Sequence, residues 1–497
     1  EYLAELAWSG NWDARLWRQP ESDRPIEQAP VAIEMGVHWD FGGGLRLLPG
    51  IKFELPKVAF TVSNGDLDDV TNEMHRYQRA FVFPQTSINR PPLVQFNSWY
   101  PFPGKMTLND LERLADSASK LGAEVFVQDA GWYGTSDSWS KQLGDYYPNP
   151  AIFPHGMEEF SDYLKSRHLK FGLWVEIENF GQDSKMLAEH PDWCMQYEGK
   201  PLARNRRCHL NFAKPEVRQW ATDTVDRLVN SYHLAWMKID YNVDVGDRFD
   251  PHDESRTGDV LAKHIQAYYD WLDSVRAKHP GLIIENCASG ALRMDTGILA
   301  HTHTNWASDN INPIDSVQIA YGCTVQFAPE VCNHWMVGDS SRGEVDLAKP
   351  PGWWDFMFRV PMNGQFGISS RIFDWNDELM QRAMNNVALY KEIRTTIANA
   401  DVYHLTAEPT HKDPKGWMAI QYVDPASNES VLMAYRLAEG KPEQRFPLRG
   451  LKSNTMYSVS VNGKPVIQLE GSELMSAGLK VELTEDWRAT VVQLKSR

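Results

Sequence analysis

Between about Pro84 and Asn399 the chain repeats one unit: an apolar run of strand composition, a loop, then a helical stretch. The strand candidates are Leu93–Trp99, Glu124–Asp129, Phe171–Glu176, Trp236–Asp240, Ile283–Asn286, Thr304–Trp306, Thr324–Phe327 and Gln365–Ile368. Helical patterns fall between most of them, at Leu108–Leu121, Met157–Arg167, Pro215–Tyr232, Val260–His279 and Pro313–Tyr321. Thr107 suits the N-cap of the first helix, and Pro215 suits the first turn of the third. Eight strands alternating with helices predict a multidomain α/β protein built on a central (β/α)8 TIM barrel. A doubly wound open sheet is the competing architecture. No GxGxxG follows the first strand, which counts against a dinucleotide-binding version of it.

The flanks read differently. Residues 1–83 look β-rich, with turn signals at Gly42-Gly43-Gly44 and Leu48-Pro49-Gly50 between short runs such as Val31-Ala32-Ile33-Glu34. This stretch is too short and open for a complete sandwich and is expected to be the end of an N-terminal β domain. The barrel is expected over 84–399. Beyond Tyr390–Arg394 the composition turns to strands again, at Met418–Tyr422, Val431–Arg436, Met456–Val461 and Ala489–Leu494. A C-terminal antiparallel β-sandwich over 400–497 is the simplest account.

With 497 residues, 42% of them apolar and 23% charged, a sizeable core is assured. The net charge of −16 disfavours nucleic acid and anionic membrane surfaces as partners. Five cysteines without a CxxC pair argue against a disulfide framework or a zinc site, and neither metal nor cofactor is expected. The chain opens on Glu1 without a signal-peptide pattern, and no apolar run reaches transmembrane length. A reduced, cytoplasmic setting is mildly favoured.

Two strand ends carry the chemistry. Lys238, Asp240 and Asn242 stand at i, i+2 and i+4, so an extended chain points all three to one face. A lysine beside an aspartate favours the ionised carboxylate, the state a covalent glycosyl intermediate needs from its nucleophile. The competing account is a buried ion pair that only fixes a strand end. Asp309 closes Asn305-Trp306-Ala307-Ser308-Asp309. Beside Trp306 its carboxyl could be partly desolvated and held protonated as a proton donor. The competing account is a cap for the helix beginning near Pro313.

Seven motifs occur in one order: Asn97-Ser98-Trp99, Asp129-Ala130-Gly131-Trp132-Tyr133-Gly134, Phe171-Gly172-Leu173-Trp174-Val175-Glu176, Lys238-Ile239-Asp240-Tyr241-Asn242, Glu285-Asn286-Cys287-Ala288-Ser289-Gly290, Trp306-Ala307-Ser308-Asp309-Asn310 and Tyr390-Lys391-Glu392-Ile393-Arg394. In wording and order they resemble glycoside hydrolase family 36, the bacterial α-galactosidases, and more distantly the lysosomal α-galactosidases of the same clan. The resemblance implies a retaining, exo-acting enzyme on an oligosaccharide or glycoconjugate with a terminal α-galactosyl sugar. It makes Asp240 the nucleophile and Asp309 the acid/base. Trp99 and Trp174 would wall the sugar site, with Trp306 beside the acid. Asp129, Lys238 and Asn242 would bond sugar hydroxyls, and Cys287 and Gly290 would lie by the 2-position. An arginine before the fourth strand is assigned to Arg207. Family members often form oligomers, so a homo-oligomer is also implied.

One departure is specific. Where members usually carry Asp-Asp-Gly-Trp, this chain has Asp129-Ala130-Gly131-Trp132. The second aspartate normally helps hold the 4-OH and 6-OH, so the resemblance leaves three readings of function. These are α-galactosidase, α-N-acetylgalactosaminidase or α-galactosaminidase, and an inactive galactoside-binding relative. The remaining candidates have plainer roles. Glu176 and Glu178 are expected behind the site rather than in it. Asp247, Asp250, His252, Asp253 and Glu254 suggest a solvated acidic loop over the site mouth. His301 and His303 suit the core, His334 and Trp335 the rim, and Trp353-Trp354 a sugar platform or packing.

Overall fold

The computed structural model describes the chain except for residues 19–30, 38–48, 51, 53, 136–137, 198, 244, 246–259 and 497. Gly42-Gly43-Gly44, and the acidic loop residues Asp247, Asp250, His252, Asp253 and Glu254, lie outside the described residues.

Eight parallel strands close into a barrel. In chain order they are Gln95–Asn97, Val125–Gln128, Lys170–Val175, Trp236–Ile239, Ile283–Asn286, Thr304–Trp306, Cys332–Met336 and Gln365–Ile368. The last pairs with the first through Gly367 opposite Gln95 and Ile368 opposite Phe96, which closes the ring. Outer helices such as Leu108–Leu121 and Pro215–Tyr232 bury apolar residues against it. Leu108–Leu121 starts on a capping box in which Thr107 and Asp110 satisfy each other's end groups, and it stops at Gly122 in the left-handed region.

The seventh strand is a correction to the sequence reading. Thr324–Phe327 is not a strand: residues Asp315–Gln326 form one helix, and the Thr324 hydroxyl donates back to Ala320 O at 3.2 Å and Tyr321 O at 3.0 Å. Such short β-branched runs do not separate strand from helix by pattern. The true strand, Cys332–Met336, carries Asn333 and His334 where an apolar run was sought. Asn333 is polar because the barrel interior has a polar layer at this level. Its Nδ2 donates to Gln95 Oε1 at 2.6 Å and Glu285 Oε1 at 2.8 Å, while the indoles of Trp236 and Trp335 donate to Glu285 Oε2 and Gln95 Oε1. Every member is buried and joined to the network by at least one hydrogen bond, and the Asn333 carboxamide oxygen is left without a partner.

The first 83 residues also differ from expectation in part. Strands Tyr2–Leu6 and Val58–Val62 pair, and Trp12–Arg18 pairs with Val31–Val37, but Leu67–Tyr77 is an α-helix that runs on as a π turn over Gln78–Val82. Asp66 caps it, and Asn72 exchanges two hydrogen bonds with Val402, tying this helix to the C-terminal part.

That C-terminal part is antiparallel. Six strands run in the order Asp401–His404, Trp417–Asp424, Glu429–Arg436, Arg488–Ser496, Met456–Val461 and Lys464–Glu470, beside the pair Glu443–Phe446 and Leu479–Glu482. Buried Tyr422 and Tyr435 hydrogen-bond Asn363, and Tyr435 also bonds Arg359 O, which fastens the sheet to the barrel wall. Among the described residues no helix is long and apolar enough to cross a membrane.

Candidate active site

The C-terminal ends of the barrel strands surround a cavity of about 260 Å³. Its walls are Trp99, Trp139, Trp174, Trp306 and Trp335; its polar lining is Asp129, Arg207, Lys238, Asp240, Asn242 and Asp309, with Ala130 completing it. Nine of the eleven residues singled out in the sequence therefore meet in one place. Cys287 and Gly290 are not among the lining residues.

Asp240 follows the fourth strand and is buried. Its Oδ2 accepts from the Trp174 indole at 3.0 Å and its Oδ1 from the Tyr241 amide at 2.8 Å. Burial pushes its carboxyl up, but the Lys238 charge, together with hydrogen bonds from Cys287, Trp174 and Asn242, outweighs burial and holds it below the ordinary carboxylate range. Lys238 is itself buried, with Nζ 3.0 Å from Asp129 Oδ2 and 4.7 Å from the centre of the Trp335 ring. Burial opposes its charge. Asp129, Cys287, Asp240 and Glu285 overcome that and keep it well above its usual value. Asn97 donates to the same Asp129 oxygen at 2.8 Å, and the Ala130 amide donates to the other at 2.9 Å.

Asp309 has the opposite electrostatics. The residue is exposed at the cavity mouth, and its Oδ1 accepts from the Trp306 indole at 2.8 Å. Trp306 stacks on Trp335 with centroids 3.9 Å apart. Partial desolvation by these rings raises the carboxyl, and Asp240 and Asp129 add repulsion. The Trp306 bond and Lys238 pull the other way, and the net direction is upward. Two carboxyls in one cavity are thus pushed apart, one toward the ionised and one toward the protonated form. The helix-cap account of Asp309 fails, because that helix begins at Asp315 behind Ile314 with no side-chain cap.

Arg207 lies on the short strand Arg207–His209, which pairs with Asn179–Gly181 beyond the third barrel strand. Its guanidinium stacks 5.2 Å from the Trp139 ring. Trp139 meets Trp174 and Trp99 edge-on at 5.2 and 5.8 Å. Trp139 escaped the sequence reading because it sits on a four-residue turn of 3-10 helix, away from any strand end. Trp335 was placed at the rim and in fact lies within the seventh strand, facing the cavity.

Gly290 has a backbone reason to be glycine. Its φ is +87°, and an added Cβ would fall 2.8 Å from Ser308 Cα and 2.9 Å from the Asp309 amide. A bridge joins Gly290 to Ser308, so this glycine sets how closely the Asp309 loop approaches the fifth strand. Gly290→Ala should displace that loop and lower kcat/KM by about 100-fold, the cost of roughly an ångström of misplacement. The backbone strain should remove about 1–3 kcal/mol of stability. Steady-state kinetics beside a thermal melt checks both; unchanged kinetics would mean the loop is not fixed here.

The other candidates resolve simply. Trp353 and Trp354 pack, with indoles bonded to Asp339 and to Asp346 O, so the platform reading is dropped. His303 precedes its strand, and its Nδ1 accepts from the Ile284 amide at 2.9 Å. Glu178 is buried against Arg293 at 2.8 Å and His264 at 3.1 Å. Among the described residues no group of His, Cys, Asp and Glu is arranged to hold a metal ion.

A closed eight-stranded barrel with a tryptophan-walled cup and two opposed carboxyls at its C-terminal face defines the glycoside hydrolase class of barrel protein. Residues 52–400 match the melibiase family model, and 417–494 match the glycosyl hydrolase family 36 C-terminal domain. The chain belongs to glycoside hydrolase family 36. It is 27% identical to alpha-galactosidase Mel36A of Lactobacillus acidophilus, covering 100% of this chain and 66% of that one. It is 26% identical to alpha-galactosidase AgaA of Geobacillus stearothermophilus, over 99% of this chain and 66% of the relative. The chain thus spans just under two-thirds of the length of these curated relatives. The crystal structure of AgaA superposes with a TM-score of 0.87 at 23% identity, covering 100% of this chain and 67% of that one, which establishes the shared fold.

Proposed function

We propose that this chain is a retaining, exo-acting α-galactosidase working by double displacement. The observation that carries the reading is the opposed pair: Asp240 held ionised beside Lys238, and Asp309 held toward the protonated form beside Trp306, both lining one cavity. Asp309 gives its proton to the departing glycosidic oxygen while an Asp240 oxygen bonds the anomeric carbon. Asp309, now a base, then takes a proton from the water that displaces Asp240. Trp99 and Trp174 wall the sugar. Asp129, Arg207, Lys238 and Asn242 present the charged and amide groups that bond its hydroxyls. The named relatives are alpha-galactosidases, and the AgaA structures include variants in complex with raffinose and stachyose, which supports a terminal α-galactosyl substrate.

A second reading keeps the chemistry and changes the sugar. Ala130 lines the cavity with a methyl group where the family usually offers a carboxylate. Losing one charged acceptor costs about 1.5–3 kcal/mol if nothing replaces it. A 2-amino or 2-acetamido galactoside is then the alternative glycone. Aryl α-galactoside, the N-acetylgalactosaminide and the galactosaminide, tested side by side, decide the matter. The galactoside should show the highest kcat/KM. Preference for either amino sugar moves the assignment to it, and galactose binding without turnover of any member would make the chain an inactive binding relative.

A further inference from the structure

Two carboxamide donors and one guanidinium, from three different segments, converge on one buried carboxylate that does not line the cavity. Glu176 follows the third barrel strand and is fully buried. Its Oε1 lies 2.8 Å from Arg207 Nε and accepts from Asn179 Nδ2 at 2.9 Å. Its Oε2 accepts from Asn242 Nδ2 at 3.1 Å. Arg207 and Asn242 are both cavity-lining, each at a different oxygen of Glu176. We infer that Glu176 is a positioning residue that holds Arg207 and Asn242 in their sugar-facing geometry, and through them sets how tightly the cavity holds its glycone.

The acceptor count makes the role specific. The Asn242 carboxamide has its nitrogen on Glu176 and its oxygen accepting from the Ser289 hydroxyl at 3.0 Å; the hydroxyl could serve either orientation, so it is the acceptor-only Glu176 carboxylate that fixes the flip state. The same side chain also hydrogen-bonds Asp240. Arg207 is held between Glu176 and the face of Trp139. The backbone of Glu176 is pinned too: its carbonyl accepts from the Tyr146 hydroxyl at 2.8 Å and its amide donates to that oxygen at 3.0 Å. A carboxylate is an acceptor on both oxygens, whereas a carboxamide of the same shape turns one of them into a donor. Glu176→Gln therefore keeps the volume but turns a donor toward one of the groups its oxygens now face, and it removes the charge opposite Arg207. If the amide nitrogen faces Asn242, that carboxamide must flip, and the Ser289 hydroxyl must turn from donor to acceptor to follow it.

This inference rests on the galactoside chemistry proposed for the cavity, and its test separates the two. The full chain carrying Glu176→Gln is compared with the unaltered protein on a nitrophenyl α-galactoside and on a galactoside with a sugar leaving group. The variant should fold, raise KM about tenfold or more, and lower kcat by less than that, by the same factors for both leaving groups. In an Arg207→Met background, where the clamp is already broken on one side, adding Glu176→Gln should cost only about twofold more. Because Glu176→Gln with Arg207→Met removes both members of the ion pair, no unpaired charge is left buried. Calorimetric binding of galactose gives the same comparison without turnover. If the unaltered protein binds galactose but hydrolyses neither substrate, the proposed activity fails and the positioning role is judged on binding alone. An unchanged affinity and KM in Glu176→Gln overturns the inference. So does a kcat loss confined to the poorer leaving group, which would make Glu176 the proton donor itself. A variant that does not fold reduces Glu176 to a structural ion pair, and full additivity with Arg207→Met shows that it does not act through Arg207; either overturns the inference. An unaltered protein that neither hydrolyses nor binds galactose overturns both readings together.

Discussion

Asp240→Ala should turn over an aryl α-galactoside slower by a factor on the order of 10⁴ or more, with KM changed far less. At about 1.36 kcal/mol per tenfold, that is more than 5 kcal/mol of lost barrier reduction, beyond what disturbed packing around one carboxylate accounts for. The neighbourhood is built to survive the change. Lys238 keeps Asp129 at 3.0 Å, and the Trp174 indole and Tyr241 amide lose their partner next to a cavity that water can enter. What disappears is the group that bonds the anomeric carbon. Added azide should therefore restore part of the turnover by entering from the face that Asp240 vacated, and the product should be the β-galactosyl azide. Near-normal hydrolysis by Asp240→Ala would refute the nucleophile assignment, and an α-configured azide would reverse the roles of the two aspartates.

How much of this was readable before the fold was known depends on where each residue sits on the barrel. Asp240 and Asp309 end apolar runs, so their place at a strand's C-terminal end follows from the pattern alone. Lys238 and Asn242 follow from Asp240 by strand periodicity. The seventh strand was missed for the same physical reason that makes it work. Asn333 and Trp335 point inward to the polar layer around Gln95 and Glu285, and that removes the apolar signature of a barrel strand. Trp139 and Arg207 arrive on a four-residue 3-10 turn and a three-residue strand after the second and third barrel strands, both too short for periodicity to mark a side chain's direction. Cys287, expected by the sugar's 2-position, packs with Trp306 and Trp335 and gives its thiol to Asp240. Glu176 was read as standing behind the site. Only the folded chain brings Arg207 and Asn242 to its two oxygens, because these residues are far apart in sequence.

Asp309→Ala should separate substrates by their leaving groups. A proton donor contributes about 10²–10⁴-fold when the departing oxygen is a poor leaving group. Raffinose-type galactosides should therefore lose turnover in that range, while an activated nitrophenyl galactoside should lose far less in its first step. Because Asp240 remains, the galactosyl-enzyme still forms and then waits for a water without a base. A rapid burst of nitrophenol followed by slow turnover is the expected trace. Azide, which needs no base, should speed the second step and give the α-galactosyl azide, opposite to the product from Asp240→Ala. The pH profile gives an independent reading. Asp309, pushed upward by desolvation and by Asp240, must be protonated, so kcat/KM falls as pH rises through its pKa. Asp240, held down by Lys238 against its burial, must be ionised, so activity also falls as pH drops through its own. Burial raises Glu176 to about 7 against the pull of Arg207, so the carboxylate that accepts from its neighbours is lost as pH falls through that value, opposite in sign to the alkaline limb. The limb should survive in Glu176→Gln and vanish in Asp309→Ala on the activated substrate. Equal losses on good and poor leaving groups, with the alkaline limb intact, would remove Asp309 from proton transfer and return it to the role of a loop residue beside Trp306.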